Sequence, residues 1–216
     1  MSKIVLLTTE ANGNLSSSKK NIEDAVKIAN DYAFSKLGIE WDINVLVTNR
    51  LYNIIIPEDG VGGRTHSSDF IEFAINEEKA SVEKMSEMLV HELCHAARWG
   101  KNDEWINCLF DNLINEGIST YFEADFVKDR DIKQMFIETV IDRSDDENER
   151  ILERLRDSLD SNYFDYDMIF FNGNDSLPRW SGYSLGYYLV KKYLEKTDKK
   201  IEEAFADKYA DFRIVL

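Results

Sequence analysis

The chain has 216 residues, 44% of them hydrophobic, and carries 41 acidic side chains against 26 basic ones, for a net charge of −15. That length holds one domain with a sizeable core, and the charge argues against nucleic acid or an anionic membrane surface as a partner. Only two prolines and ten glycines exclude a fibrous or disordered chain, and without a run of about 18 apolar residues no membrane span is expected.

Lys3–Thr9 (KIVLLTT) is the first strand candidate; its apolar run is too short for a secretory signal. The two cysteines, Cys94 and Cys108, both on apolar helical stretches, are expected as buried free thiols, and a cytoplasmic location is the corresponding expectation. Ala11–Ser18 is a polar loop. From Ser18 to Leu37 the apolar residues Ile22, Ala25, Val26, Ala29, Ala33 and Leu37 keep helical spacing, and Gly38 is the stop. Asp42–Thr48 and Tyr52–Ile56 are rich in β-branched residues and read as strands around an Asn49-Arg50 turn. Gly60–Gly63 reads as a flexible turn, and Phe70–Ile75 (FIEFAI) as a third strand.

From Ser81 onward the pattern is helical: Ser81–Trp99, Asp103–Val127, Asp131–Ile141 and Glu147–Leu159, with the charged stretch Asp142–Arg150 as a solvated connection. A polar and aromatic loop, Asp160–Trp180, precedes an apolar helix from Ser181 to Glu195 and a short one from Lys199 to Tyr209. Strands first and helices after predict one α+β domain. A small N-terminal sheet lobe (1–78) should pack beside a mainly helical C-terminal lobe (79–216), with the helix from Ser81 at their junction.

That helix holds the chemistry. It contains His91-Glu92-Leu93-Cys94-His95, and two of the three histidines in the chain lie in this H-E-x-x-H pattern. Residues four apart share a helix face, about 5–6 Å apart at Cβ, so two imidazoles can converge on one Zn²⁺. Glu92 is too far round to be a ligand but can reach a water on the metal, the place of a general base. A catalytic zinc needs a third protein ligand. Glu116, 21 residues after His95 in NLINEGISTYFE, is the candidate if the next helix runs back alongside, with Gly117 letting another backbone or group approach closely; otherwise it is a surface glutamate. A hydrogen-bond donor must also share the developing negative charge of amide hydrolysis. Tyr183, opening SGYSLGYYLVKKYLE, where Gly186 would allow tight packing against the helices of the site, and His66, in the loop GGRTHSSD, are the two candidates; an aromatic core face is the plain alternative for Tyr183, and polar surface for His66.

The H-E-x-x-H motif followed by Asn115-Glu116-Gly117 resembles the gluzincin zinc peptidases. Asn115-Glu116-Gly117 with Tyr121 and Glu123 is similar to the N-E-G-x-x-x-Y-x-E pattern of the aminopeptidase-like branch, and Tyr183-x-x-Gly186-Tyr187 to its Y-x-x-G-F pattern. The resemblance implies a zincin-like metallopeptidase with one Zn²⁺ per chain on His91, His95 and Glu116, Glu92 as base and Tyr183 at the oxyanion. Thermolysin-like members have an Asp where this chain has Thr120, so the group orienting a ligand histidine must differ; Glu123 is the candidate, a solvent-facing glutamate the alternative. The G-A-M-E-N-type segment of true aminopeptidases is absent, so exopeptidase activity is not implied. In gluzincins a sheet edge near the metal receives the peptide as an added strand, and Phe70–Ile75 is the expected edge. From about Gly60 to Glu195 the chain most resembles the small bacterial YjaZ-like predicted Zn-dependent proteases, through the glycine-rich turn, the metal motif, the later E-G and Gly182-Tyr183-Ser184-Leu185-Gly186-Tyr187. A peptide or protein substrate is implied. The alternative is a catalytically silent zincin-like protein that binds a peptide or protein partner.

Overall fold

The computed structural model describes residues 3–9, 14–50, 55–128, 130, 132 and 134–216. The protein is α+β, a four-stranded sheet and a mostly helical remainder. It divides into two compact units, one formed by residues 1–101 and 125–135, the other by 102–124 and 136–216.

The first unit begins with β1 (Ile4–Thr8), α1 (Lys19–Leu37) and β2 (Ile43–Thr48). β1 and β2 are parallel, in register from Ile4 against Ile43, so α1 is the crossover that parallel pairing requires. On α1 the predicted face is buried, including Ile22, Ala25, Ala29, Ala33 and Leu37, and the helix packs on α2 (Val82–Lys101). Gly38 ends α1 in the left-handed region, φ 57°, a conformation that costs a residue without Cβ little. β3 (Val61–Ser67) and β4 (Phe70–Ile75) come next as an antiparallel pair, and β4 also lies parallel to β2. The sheet order is therefore β1-β2-β4-β3.

Two expectations change here. Only Gly60, at φ 77°, is part of a turn. Gly62 and Gly63 are ladder residues of β3, opposite Ala74 and Phe73, although glycine itself disfavours strands. In addition, β4 is not the sheet edge: β2 and β3 flank it, and the edge beyond it is β3. Of the Tyr52–Ile56 strand expectation, residues 52–54 lie outside the described residues, and Ile56 forms a single antiparallel bridge to Val61. Gly100 lies inside α2, where a Cβ would fall 2.2 Å from the Trp41 ring.

The second unit contains most of α3 (Leu109–Lys128), with α4 (Met135–Ile141), α5 (Asp145–Leu155), α6 (Ser181–Thr197) and α7 (Ile201–Ala204). α3 starts later than predicted. Glu104 N–H donates to Asn102 Oδ1 (2.8 Å) and Asn107 N–H to Asp111 Oδ2 (3.0 Å), side-chain bonds that compete with a helix. Cys108 therefore precedes the helix rather than lying on it. It is a half-buried free thiol whose pKa burial pushes up, and Cys94 is a buried one. The Asp142–Arg150 stretch is not a connection throughout. Ser144 caps α5 in a reciprocal box with Glu147, which answers the unpaired N–H groups of a first turn. Inside Asp160–Trp180, read as a loop, Asp167–Asn172 forms a π-helical turn. Among the described residues no helix is long and apolar enough to cross a membrane.

Candidate metal centre

In the sheet-bearing unit, α2 carries His91, Glu92 and His95, all nearly buried at 5%, 5% and 7% exposure. The imidazoles lie one turn apart at 71° to each other, and their Nε2 atoms are 3.1 Å apart. Two nitrogens on a tetrahedral zinc at about 2.0–2.1 Å would be about 3.4 Å apart. The pair thus already presents two imidazole nitrogen donors at nearly the separation an ion imposes, and the residues fit zinc.

Glu92 is held from β3. Thr65 Oγ1 donates to Glu92 Oε2 at 2.7 Å and lies 2.9 Å from the Glu92 backbone oxygen. Gly63, two residues away and so on the same strand face, lies against the same side chain: a Cβ there would be 2.3 Å from Glu92 Cγ and 2.8 Å from Oε1. The hydroxyl thus fixes one carboxylate oxygen while the bare backbone makes room for the other. Neither residue was singled out from sequence, because Gly62-Gly63 suggested a turn and Thr65 a loop. His66 is placed in β3 at a register shift, not in a loop. Its ring stacks on Phe70 at 5.2 Å and its Nε2 is 3.3 Å from Glu72 Oε2.

The helical unit holds the other predicted residues. Asn115, Glu116 and Gly117 lie on α3, and Tyr183 and Gly186 on α6. The two helices touch backbone to backbone. A Cβ on Gly117 would be 2.3 Å from the Gly186 carbonyl, and one on Gly186 would be 2.1 Å from the Leu113 oxygen. Glycine is thus required at both positions, as the sequence suggested. Gly186→Ala should separate the helices and lower stability by about 1–3 kcal/mol, measured as a fall in the urea midpoint; an unchanged midpoint would show that the contact carries no weight.

Around that seam Asn115 Oδ1 accepts from the Tyr209 hydroxyl at 3.3 Å. Tyr121 stacks on Tyr187 at 5.4 Å, and burial raises the Tyr187 pKa. Tyr183 stands edge-on to Phe136 and Phe170, at 4.9 and 5.5 Å, and remains half-exposed. Tyr183, Tyr187 and Tyr188 do not form one core face: Tyr183 and Tyr187 are half-exposed, whereas Tyr188 is buried and donates to Glu149 at 2.5 Å. Glu123 is fully buried, which removes its solvent-facing alternative. Tyr166, unremarked in the sequence, lies beside Glu116, its hydroxyl 3.4 Å from Oε1.

Residues 19–213 match the family described as Predicted Zn-dependent protease (DUF2268). The chain belongs to that family. Its resemblance to YjaZ-like zinc proteases agrees with the match. Neither the curated proteins nor the solved structures contain a match. For this DUF2268 chain the family description gives zinc as the metal and proteolysis as the predicted activity, and the paired imidazoles of α2 are donors suited to that metal.

Proposed function

We propose that the protein is a zinc-dependent peptidase that holds one Zn²⁺ on His91, His95 and Glu116 and cleaves peptide bonds with Glu92 as base. The observation that carries this is the buried Nε2 pair at 3.1 Å, directly beside a carboxylate held by Thr65.

When bound, zinc supplies Lewis acidity, making water a nucleophile near neutral pH and drawing charge from a carbonyl. Glu92 takes the proton of the attacking water and delivers it to the leaving amine. Tyr183 donates its hydroxyl to the oxygen that gains charge, its ring held by Phe136 and Phe170. Glu123 orients a ligand imidazole through its second nitrogen, which suits a fully buried carboxylate. β3, as the sheet edge, is the strand along which an extended peptide would run.

Zinc per chain, by elemental analysis of wild type and Glu116→Ala, together with a peptide-library digest, tests this. About one zinc, lost in the variant, with cleavage of the library, is the expected result. Wild type that takes up no zinc after reconstitution at neutral pH would overturn the metal site. Stoichiometric zinc without any cleavage would instead favour a silent zincin-like binder.

A further inference from the structure

We infer that Tyr166 is a positioning residue for Glu116, its hydroxyl donating to one carboxylate oxygen and so fixing which oxygen faces the metal. This rests on Glu116 being a ligand. The Tyr166 hydroxyl lies 3.4 Å from Glu116 Oε1, longer than the roughly 2.5–3.0 Å of a settled O–H···O bond. Such contacts tighten once the acceptor is fixed.

The segment is built to aim that ring. Tyr166 stacks face to face on Phe170, centroids 4.4 Å apart at 18°. Phe170 is fully buried, and Gly182 makes room for it: a Cβ there would be 2.5 Å from Phe170 Cδ1. Tyr166 immediately precedes the π-helical turn Asp167–Asn172. That turn is fastened at its start by Asp165, whose Oδ1 accepts from Met168 N–H at 2.9 Å. Its far end is closed by Gly173 N–H on the Met168 carbonyl, also at 2.9 Å, with Gly173 at φ 67°. Isolated π turns occur often at functional sites.

The neighbouring rings show that packing alone does not ask for a tyrosine. Phe164, Phe170 and Phe171 fill the same aromatic cluster without a hydroxyl, and the one at position 166 meets Glu116. Phe170 also supports the edge of Tyr183, so one buried ring underlies both tyrosines. Groups that hold a ligand from behind set its orientation and basicity.

Tyr166→Phe keeps the stacked ring and removes only the O–H. Its zinc affinity, measured by competition with a chromophoric chelator, should weaken by about 10–100-fold. The melting temperature of the zinc-free variant should stay at the wild-type value. With Co²⁺ in place of zinc, its visible absorption should differ from wild type, a change that a packing defect elsewhere would not produce. Tyr163→Phe, at a side chain 92% exposed, should match wild type throughout. If Tyr166→Phe binds zinc as tightly as wild type while Glu116→Ala does not, the role of Tyr166 is wrong and the ligand set stands. If Glu116→Ala also binds zinc undiminished, the ligand assignment itself fails. A lowered melting temperature with unchanged zinc affinity and Co²⁺ spectrum would make the hydroxyl structural and overturn the inference.

Discussion

Glu92→Gln should lower peptide cleavage by about 10²–10⁴-fold, the usual contribution of a general base, with zinc content unchanged. Glutamine is nearly the same size, and the Thr65 hydroxyl, now 2.7 Å from Oε2, can still donate to an amide oxygen. The variant therefore keeps the packing under β3 and loses only the ability to take a proton. His91 and His95 stay on the same buried turns of α2. Cleavage assays on any peptide found by the library digest, paired with elemental analysis, separate the two effects. A variant that cleaves at the wild-type rate would show that Glu92 is not the base. One that loses zinc would show that its carboxylate supports the metal rather than the proton transfer.

Gly63→Ala should cost nearly as much activity from a residue with no chemistry of its own. A methyl group at Gly63 would sit 2.3 Å from Glu92 Cγ and 2.7 Å from Cδ. The strand cannot retreat easily, because Gly63 is paired with Phe73 in the ladder to β4. Glu92 must then swing away and give up its bond to Thr65. A displacement near 1 Å at a reacting group costs on the order of 10²-fold in rate. The expected signature is a fall in kcat with zinc content kept, and a stability loss of about 1–3 kcal/mol from overpacking. Full activity in Gly63→Ala would mean that the carboxylate tolerates other positions, and that β3 does not set its geometry.

The sequence was most legible where one periodic signal coincided with one chemical need. The α1 face from Ile22 to Leu37, the stop at Gly38 and the glycines at 117 and 186 all arise from spacing or from steric room, and the structure bears them out. The metal motif could be read because an i, i+4 histidine pair is itself a geometric statement. The misreadings fall where tertiary partners override local preference. Gly62-Gly63 has turn chemistry, yet ladder bonds to β4 make it a strand. FIEFAI alternates like a strand with one exposed face, and nothing in it reveals that β3 pairs on its far side. Asn102 and Asn107 delay the start of α3 through bonds invisible to periodicity. Thr65 and Tyr166 carry no motif, and only the folded chain brings them beside Glu92 and Glu116.

The π-helical turn at Asp167–Asn172 also bears on how members of the family should be aligned. Its hydrogen bond spans five residues where an α-helix spans four, so it accommodates one residue more than a regular turn. A family member one residue shorter here would close an ordinary helical turn, and the residues on its N-terminal side would rotate by about 100° relative to those on its C-terminal side. The ring equivalent to Tyr166 would then leave the face of Phe170 and point away from the glutamate equivalent to Glu116. A chain with a single-residue deletion between Asp165 and Gly173 would therefore have to orient this carboxylate another way.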